Sequence, residues 1–211
     1  MTGARLVLLR HGEAATGGRC AGRRFDPPLS PRGREQARSA LARLPERPDV
    51  LVTSPAARAR QTAQVWAGYP ASAQTPRTPQ APRTPQVLIP QAEDDLAERD
   101  FGAWEGRPWE ELWASVPARV LTDPDEYAAF TPPDAEPTEA VADRAWRAAR
   151  RLTEDVEGTV LAVTHAGPLR LIVGQALGID AARTFALAVP HARAAVLVRN
   201  DQSWTLERLG A

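Results

Sequence analysis

Three short apolar runs stand out along the chain, and each ends at a polar or charged residue. They cover residues 5–9, 50–54 and 159–165. The first run leads directly into Arg10 and His11. All three are continuous rather than alternating, which is typical of strands that are buried on both faces. The pattern therefore predicts three strands in the interior of one sheet.

Helices are predicted between and after these strands. The spacing predicts a helix over residues 55–67 with Pro55 at its first position, and one over residues 166–176 that ends near Gly178. Two further helices are predicted from caps and apolar faces. One has Ser30 as its N-cap and Pro31 at its first position, and its apolar face contains Ala37, Leu41 and Leu44. The other covers residues 139–152, and its apolar face contains Val141, Ala145, Ala148 and Leu152.

The C-terminal part of the chain has a different pattern. Residues 194–199 and 203–208 read as a hairpin that turns around Asn200 and Asp201. Strands that alternate with helices imply layered packing around a mainly parallel sheet. We therefore expect an α/β fold of three layers, α/β/α, which forms a single domain over residues 1–211.

Residues 70–86 do not fit this pattern. They contain two copies of a Pro-rich hexamer, at residues 75–80 and 81–86. Proline fixes φ and removes a hydrogen-bond donor, so neither a helix nor a central strand can form there. We expect an exposed, partly disordered insertion in the domain.

Composition and charge exclude several classes of function. The formal net charge of the 211 residues is zero, which argues against nucleic acid or an acidic membrane as a partner. No apolar run is long enough to span a bilayer, and the single cysteine, Cys20, favours a reducing, cytoplasmic setting. All basic residues are arginine, so Schiff-base chemistry and the lysine of a Walker loop are excluded.

Candidate chemistry lies where the predicted strands end. In open α/β sheets, ligands bind beyond the carboxyl ends of the strands. This rule directs Arg10, His11 and His165 to one crevice, together with Arg58 from the first turns of the second helix. Two histidines and two arginines beside the N–H groups of a helix start can bind a dianion such as a phosphoryl group.

Four sequence blocks carry a resemblance to a known family. They are Leu9-Arg10-His11-Gly12-Glu13, residues 53–63 around Arg58, residues 96–106 beginning Leu96-Ala97-Glu98, and residues 164–170 beginning Thr164-His165. The blocks resemble, in order, the motifs of the histidine phosphatase superfamily, which is also called phosphoglycerate-mutase-like. The resemblance extends over nearly the whole chain.

The resemblance implies a metal-independent phosphatase without a cofactor that acts on a small phosphorylated metabolite. His11 would be the nucleophile and would form phosphohistidine. Arg10, Arg58 and His165 would hold the phosphoryl oxygens, and Glu98 would be the general acid. Gly22, which lies in residues 18–30, and Ala166, which lies in the fourth block, are also expected to contact substrate.

Four other residues are assigned lesser roles. Arg60 is expected on the helix surface, and His191, which matches no motif, is interpreted as structural. Glu13 is expected to orient its neighbours rather than react. Cys20 is expected to pack in the interior, because it lacks a neighbouring base that would activate a thiol.

Trp104, Trp109 and Trp113 form an aromatic cluster shortly after Glu98. Pro108 is expected to begin a helix that places Trp109 and Trp113 on one face. Two interpretations remain open: core packing of that helix, or an aromatic wall over the substrate.

Residues 18–30 and 101–109 resemble the α-ribazole phosphatase branch, which acts in cobalamin assembly. Two departures bear on this. Ala135-Glu136-Pro137 stands where the family often has Gly-Glu-Ser, and Gly17 stands near an asparagine that many mutases carry. The alternatives are a cofactor-dependent phosphoglycerate mutase and a catalytically silent, protein-binding relative. The oligomeric state, including a homodimer, is left open.

Overall fold

The structure is a computed structural model that describes residues 3–44, 47–67, 88–154, 156–200 and 203–210. Residues 70–86, the predicted insertion, lie outside these described ranges, as do residues 201 and 202 of the predicted hairpin. In chain order the elements are β1 (Ala4–Arg10), α1 (Pro31–Arg43), β2 (Val50–Thr53), α2 (Ala57–Ala67), β3 (Gln91–Ala92), α3 (Trp109–Ser115), α4 (Ala118–Thr122), α5 (Pro124–Ala129), α6 (Thr138–Leu152), β4 (Thr159–Thr164), α7 (Ala166–Leu177), α8 (Ala181–Thr184), β5 (Ala194–Asn200) and β6 (Ser203–Leu209).

The six strands form one sheet in the order β3-β2-β4-β1-β5-β6. Strands β3, β2, β4 and β1 pair in parallel, whereas β5 and β6 are antiparallel to their neighbours. The predicted mainly parallel sheet and the C-terminal hairpin are therefore confirmed. The register pairs Arg10 with Thr164 and Thr53 with Val163, so the three central strands end at nearly the same level.

Side chains that alternate along β1 supply the two faces of the sheet. Leu6 and Leu8 pack with residues of α6 and α7 on one side. Val7 and Leu9 pack with residues of α1 and α2 on the other side. Because side chains of a strand point alternately to opposite faces, this continuous apolar run fills both cores at once. The three-layer α/β/α arrangement is confirmed.

Local caps explain two of the helix ends. The Ser30 hydroxyl accepts a hydrogen bond from the Gly33 N–H at 3.0 Å at the start of α1, as predicted. Helix α7 ends at Gly178, whose φ of 67° is the left-handed conformation that glycine adopts without strain.

The predicted start of α2 is wrong by two residues. Pro55 lies in the turn before the helix, which begins at Ala57. The free N–H of Ala57 donates to both carboxylate oxygens of Asp26, at 3.0 and 2.9 Å. The cap therefore comes from a residue far away in the sequence, and a local rule for proline could not locate it.

A third cluster lies apart from the two faces of the sheet. It consists of Cys20 and apolar residues of the segment 101–130, which includes α3, α4 and α5. Trp109 and Trp113 stack with ring centroids 5.1 Å apart and planes inclined by 13°.

Among the described residues, no helix is long and apolar enough to cross a membrane.

Candidate active site

The ends of β1, β2 and β4 bring His11, Ser54 and His165 side by side. The N–H of His11 donates to the Thr164 carbonyl at 2.9 Å, and that of Ser54 donates to the Val163 carbonyl at 2.8 Å. These bonds continue the ladder one residue beyond each strand. The positions that sequence analysis placed in one crevice are therefore adjacent.

The His11 ring is held with one nitrogen free. Its Nδ1 lies 2.6 Å from the Gly12 carbonyl, which can only accept, so Nδ1 carries the proton and Nε2 carries the lone pair. Burial lowers the pKa of His11 well below 6.5, and the charge of Arg58 lowers it further. His11 is thus a neutral imidazole with an unprotonated Nε2, the form that a nucleophile requires.

His165 faces His11 with ring centroids 4.9 Å apart in an edge-to-face arrangement. Its Nε2 lies 2.7 Å from the Ser54 hydroxyl, which also accepts the Ala56 N–H at 3.3 Å. Burial and the charge of Arg58 lower the pKa of His165 well below 6.5. The Ser54 hydroxyl already accepts from Ala56, so we assign its own proton to the bond with Nε2 and the proton of the neutral ring to Nδ1, a buried atom with no partner among the described residues.

Arg10 connects the site to His191. Its Nη1 donates to the Val189 carbonyl at 2.7 Å, and its Nη2 lies 2.9 Å from His191 Nε2, which must accept. Burial and the charge of Arg10 lower the pKa of His191 to about 4. The Nε of Arg10 is buried without a partner in the described part of the chain.

The interpretation of His191 as purely structural therefore needs correction. Its ring centroid lies 5.7 Å from that of His11, and its side chain lines the same cavity. The antiparallel pairing of β5 with β1 sets Ala194 opposite Leu9, which brings the residues just before β5 to the end of β1. Sequence analysis missed this position because the predicted hairpin did not indicate which strand of the sheet β5 pairs with.

Arg58 is 2% exposed and is oriented by the segment that contains Gly22. Its Nη2 donates to the Gly22 carbonyl at 3.0 Å, and its Nη1 donates to Asp26 at 3.2 Å. The same segment is fixed by Glu105, whose carboxylate accepts three successive N–H groups, from Arg23, Arg24 and Phe25. In this structure Gly22 thus orients Arg58 through its carbonyl.

Two neighbouring cavities meet at Glu98. The polar cavity, of about 280 Å³, is lined by Arg10, His11, Glu13, Arg58 and His191 among others. The aromatic cavity, of about 240 Å³, is lined by Trp104, Trp113, Tyr127, Phe130, Ala166 and Phe185 among others. Glu98, Phe101 and Trp109 line both cavities.

Glu98 itself lies against the start of α7. A Cβ added to Gly167 would come within 2.7 Å of Glu98 Oε1, so a larger residue there would displace the carboxylate from this position. The Glu98 Oε1 also accepts the Arg99 N–H at 3.0 Å. The predicted acid is therefore at the boundary between the polar and the aromatic cavities.

The remaining predicted residues fall as follows. Cys20 is buried, and burial together with Glu105 raises the pKa of its thiol to about 12, as suits a packing residue. Arg60 is exposed, as predicted, and its guanidinium donates to the Pro55 carbonyl. Glu13 accepts the Ser30 hydroxyl at 2.7 Å. The tryptophans pack on one another and also line the aromatic cavity, and their contact with substrate stays a prediction.

A model of the histidine phosphatase superfamily (branch 1) matches residues 6–211. The chain belongs to this superfamily. The family predicted from four sequence blocks is confirmed.

Similar proteins include curated relatives and solved structures. A bifunctional protein of Mycobacterium tuberculosis is 34% identical over 184 residues, which are 83% of this chain and 45% of that protein. This chain therefore spans about half the length of that relative. The Bacillus subtilis phosphatase PhoE, itself uncharacterized, is 28% identical over 180 residues, covering 83% of this chain and 78% of that protein.

Two solved structures share the fold over almost their whole length. The α-ribazole phosphatase of Shigella flexneri matches with a TM-score of 0.77 and 26% identity, over 98% of this chain and 96% of that chain. A mycobacterial glucosyl-3-phosphoglycerate phosphatase matches with a TM-score of 0.79 and 26% identity, over 98% of both chains. The predicted fold class is confirmed. The two phosphatases are named for different substrates.

Proposed function

We propose that this chain hydrolyses phosphate monoesters through a phosphohistidine on His11 Nε2, with Glu98 as general acid. The observation that carries the proposal is the position of Glu98 where the two cavities meet. A monoester with its phosphoryl group among Arg10, His11 and Arg58 and its alcohol in the aromatic cavity has its ester oxygen at this boundary. That oxygen is the atom that needs a proton when the P–O bond breaks.

The first step transfers the phosphoryl group to the enzyme. The His11 Nε2 lone pair forms a P–N bond as the ester P–O bond breaks, and the Glu98 carboxyl gives its proton to the leaving oxygen. Arg10 and Arg58 balance the charge of the equatorial oxygens, and the unpartnered Nδ1–H of His165 can donate to one of them.

The second step releases phosphate. The Glu98 carboxylate takes a proton from water, whose oxygen bonds to phosphorus as the P–N bond breaks. Inorganic phosphate leaves, while His11 Nε2 and the protonated Glu98 return to their starting forms. The guanidinium groups of Arg10 and Arg58 supply the positive charge at the phosphoryl group, so the proposed mechanism is metal-independent.

The lining of the aromatic cavity supports one class of alcohol as the leaving group. A planar apolar group can stack on rings such as Trp109 and Trp113, whereas a polyhydroxylated group would lose hydrogen bonds to water on entering. The benzimidazole nucleoside of α-ribazole 5'-phosphate is an alcohol of this class, and this supports it as a candidate substrate over 3-phosphoglycerate.

A substrate panel in excess EDTA tests the proposal. It contains α-ribazole 5'-phosphate, 2-naphthyl phosphate, glucosyl-3-phosphoglycerate and 3-phosphoglycerate, and kcat/KM is measured for each. We expect turnover in EDTA, with the highest kcat/KM for the two esters that carry a planar ring. Absence of turnover for every ester would refute the phosphatase assignment. Activity that requires Mg²⁺ or Mn²⁺ would refute metal independence, and preference for 3-phosphoglycerate would refute the substrate class.

A further inference from the structure

Arg144 of α6 is 6% exposed and points its guanidinium at the segment that ends in Glu98. Its Nη1 donates to the carbonyls of Asp95 and Ala97, at 2.8 and 2.6 Å, and its Nη2 donates to the carbonyl of Glu98 at 3.0 Å. The Thr164 hydroxyl donates to the intervening carbonyl, that of Leu96, at 2.7 Å. The four successive carbonyls of residues 95–98, the last of them that of the candidate acid itself, are therefore hydrogen-bonded by side chains.

The partner of Arg144 is Glu136. The Nε and Nη2 of Arg144 donate to its two carboxylate oxygens, at 2.7 and 2.9 Å. Burial alone would raise the pKa of Glu136, but the hydrogen bonds and charge of Arg144 outweigh burial and lower it. The pair is thus ionised, and every donor direction of the guanidinium fork is used.

Glu136 also holds the backbone on the far side of Glu98. Its N–H donates to the Asp100 carbonyl at 2.8 Å, and its carboxylate accepts the Asp100 N–H at 3.3 Å. Its own carbonyl accepts from Arg99 Nε at 2.6 Å. The backbone on both sides of Glu98 is thereby tied to one buried ion pair.

We propose that the Arg144–Glu136 pair is a positioning device that sets the Glu98 carboxyl against the ester oxygen. The inference rests on the proposed role of Glu98 as acid. A displacement of about 1 Å is enough to lower proton transfer severely. Arg144 touches neither cavity, so its effect on the reaction passes through the backbone of residues 95–98.

A purely structural role would affect all substrates equally, whereas a role in positioning the acid depends on the leaving group. An alkyl alcohol needs a proton as it leaves, and p-nitrophenolate barely needs one. The readout is therefore the single-turnover rate of phosphorylation for an alkyl ester, compared with the same rate for p-nitrophenyl phosphate. Steady-state rates would mix this step with hydrolysis of the phosphoenzyme.

Arg144→Lys keeps the charge next to Glu136 but cannot reach three carbonyls and two carboxylate oxygens at once. We expect the alkyl ester to slow by about 10- to 100-fold, a part of the full contribution of a positioned acid. The aryl ester should slow by less than about threefold. Arg150→Lys is the matched control, because Arg150 lies exposed on the same helix, and it should change neither rate.

Glu136→Gln carries the test if Arg144→Lys does not fold, since it keeps an acceptor for Arg144 while removing the charge. It should give the same selective loss for the alkyl ester. When Arg144→Lys or Glu136→Gln is combined with Glu98→Gln, the double variant should show no further selective loss for the alkyl ester, because the acid is already absent.

Two failures can be told apart. If Glu98→Gln slows both esters equally, the role of Glu98 as acid is wrong. If Glu98→Gln is selective but folded Arg144→Lys or Glu136→Gln slows both esters equally or neither, the role of Glu98 stands and the positioning role is overturned.

Discussion

The rings of His11 and His165 meet edge to face with centroids 4.9 Å apart, and both imidazoles are neutral in the folded chain. Two positive rings at this separation would repel one another and the nearby Arg58. Neutrality gives the pair different tasks, because each ring keeps one donor nitrogen and one acceptor nitrogen. The Gly12 carbonyl selects the free nitrogen of His11, and the Ser54 hydroxyl selects that of His165.

The proposed mechanism predicts that His11 is the site of covalent labelling. His11→Ala should abolish turnover and labelling by a ³²P-labelled phosphate ester, since no other neutral imidazole nitrogen combines a lone pair with this environment. His165→Asn is the informative companion: it should be labelled slowly but still be labelled. The label should be acid-labile and alkali-stable, as a phosphoramidate is. Labelled His11→Ala would show that the nucleophile is another residue.

The lowered pKa values also predict how stability depends on pH. Between the ordinary histidine pKa of 6.5 and the lower pKa of each folded ring, the unfolded chain binds protons that the folded chain does not. Above about pH 6.5 the rings are neutral in both states, so they cost no stability. As the pH falls below 6.5, protonation favours the unfolded chain, and the free energy of unfolding decreases progressively. The free energy of unfolding should therefore decrease on acidification from pH 7 to pH 5.

Nitrogen NMR of the imidazole rings checks this directly, because the chain has only three histidines. His11 and His165 should remain neutral at pH 6, and His191 should titrate near its pKa of about 4. The urea-unfolded chain is the control and should show three rings with ordinary titration. A His11 ring that titrates near pH 6.5 in the folded chain would contradict the prediction.

Replacing Glu98 separates acid catalysis from electrostatic shaping of the pocket. Glu98→Gln should slow phosphorylation by natural alkyl esters by about 10²- to 10⁴-fold, the usual contribution of a positioned acid. Phosphorylation by p-nitrophenyl phosphate should suffer much less, and phosphoenzyme should accumulate when water is no longer activated. Glu110→Gln, a change at an exposed residue of α3, is the control. Equal losses for both esters would mean that the acid lies elsewhere.

Trp109 tests the proposed leaving-group cavity, since it lines both cavities and stacks on Trp113. Trp109→Leu should raise KM for planar aromatic esters by about two- to tenfold, the worth of one aromatic contact, and change KM for a small alkyl ester less. Trp146→Leu is the control, because Trp146 packs against Trp204 with centroids 5.3 Å apart and lines neither cavity. An equal rise of KM for both kinds of ester would argue against an aromatic subsite.

The long elements of the fold could be predicted because their signals are local. Continuous apolar runs, the Ser30 cap and the end of α7 at Gly178 are each read within a few residues. Sequence analysis did not predict α4 and α5, which have five and six residues, or β3, which has two. Elements this short complete too few turns or alternations for a periodic pattern to appear.

The sequence by itself determined that Arg10, His11 and His165 lie together at one edge of the sheet, because they lie at the ends of buried strands and parallel strands end at one edge of a sheet. Only the tertiary structure decided that His191 joins them, through the antiparallel pairing of β5 with β1. It also decided that Arg144 holds the backbone of Glu98, across 46 positions of the chain. The physical reason is the distance along the chain over which each feature is determined. The end of a strand is encoded in a few neighbouring residues, whereas hydrogen bonds between distant segments depend on how the layers pack.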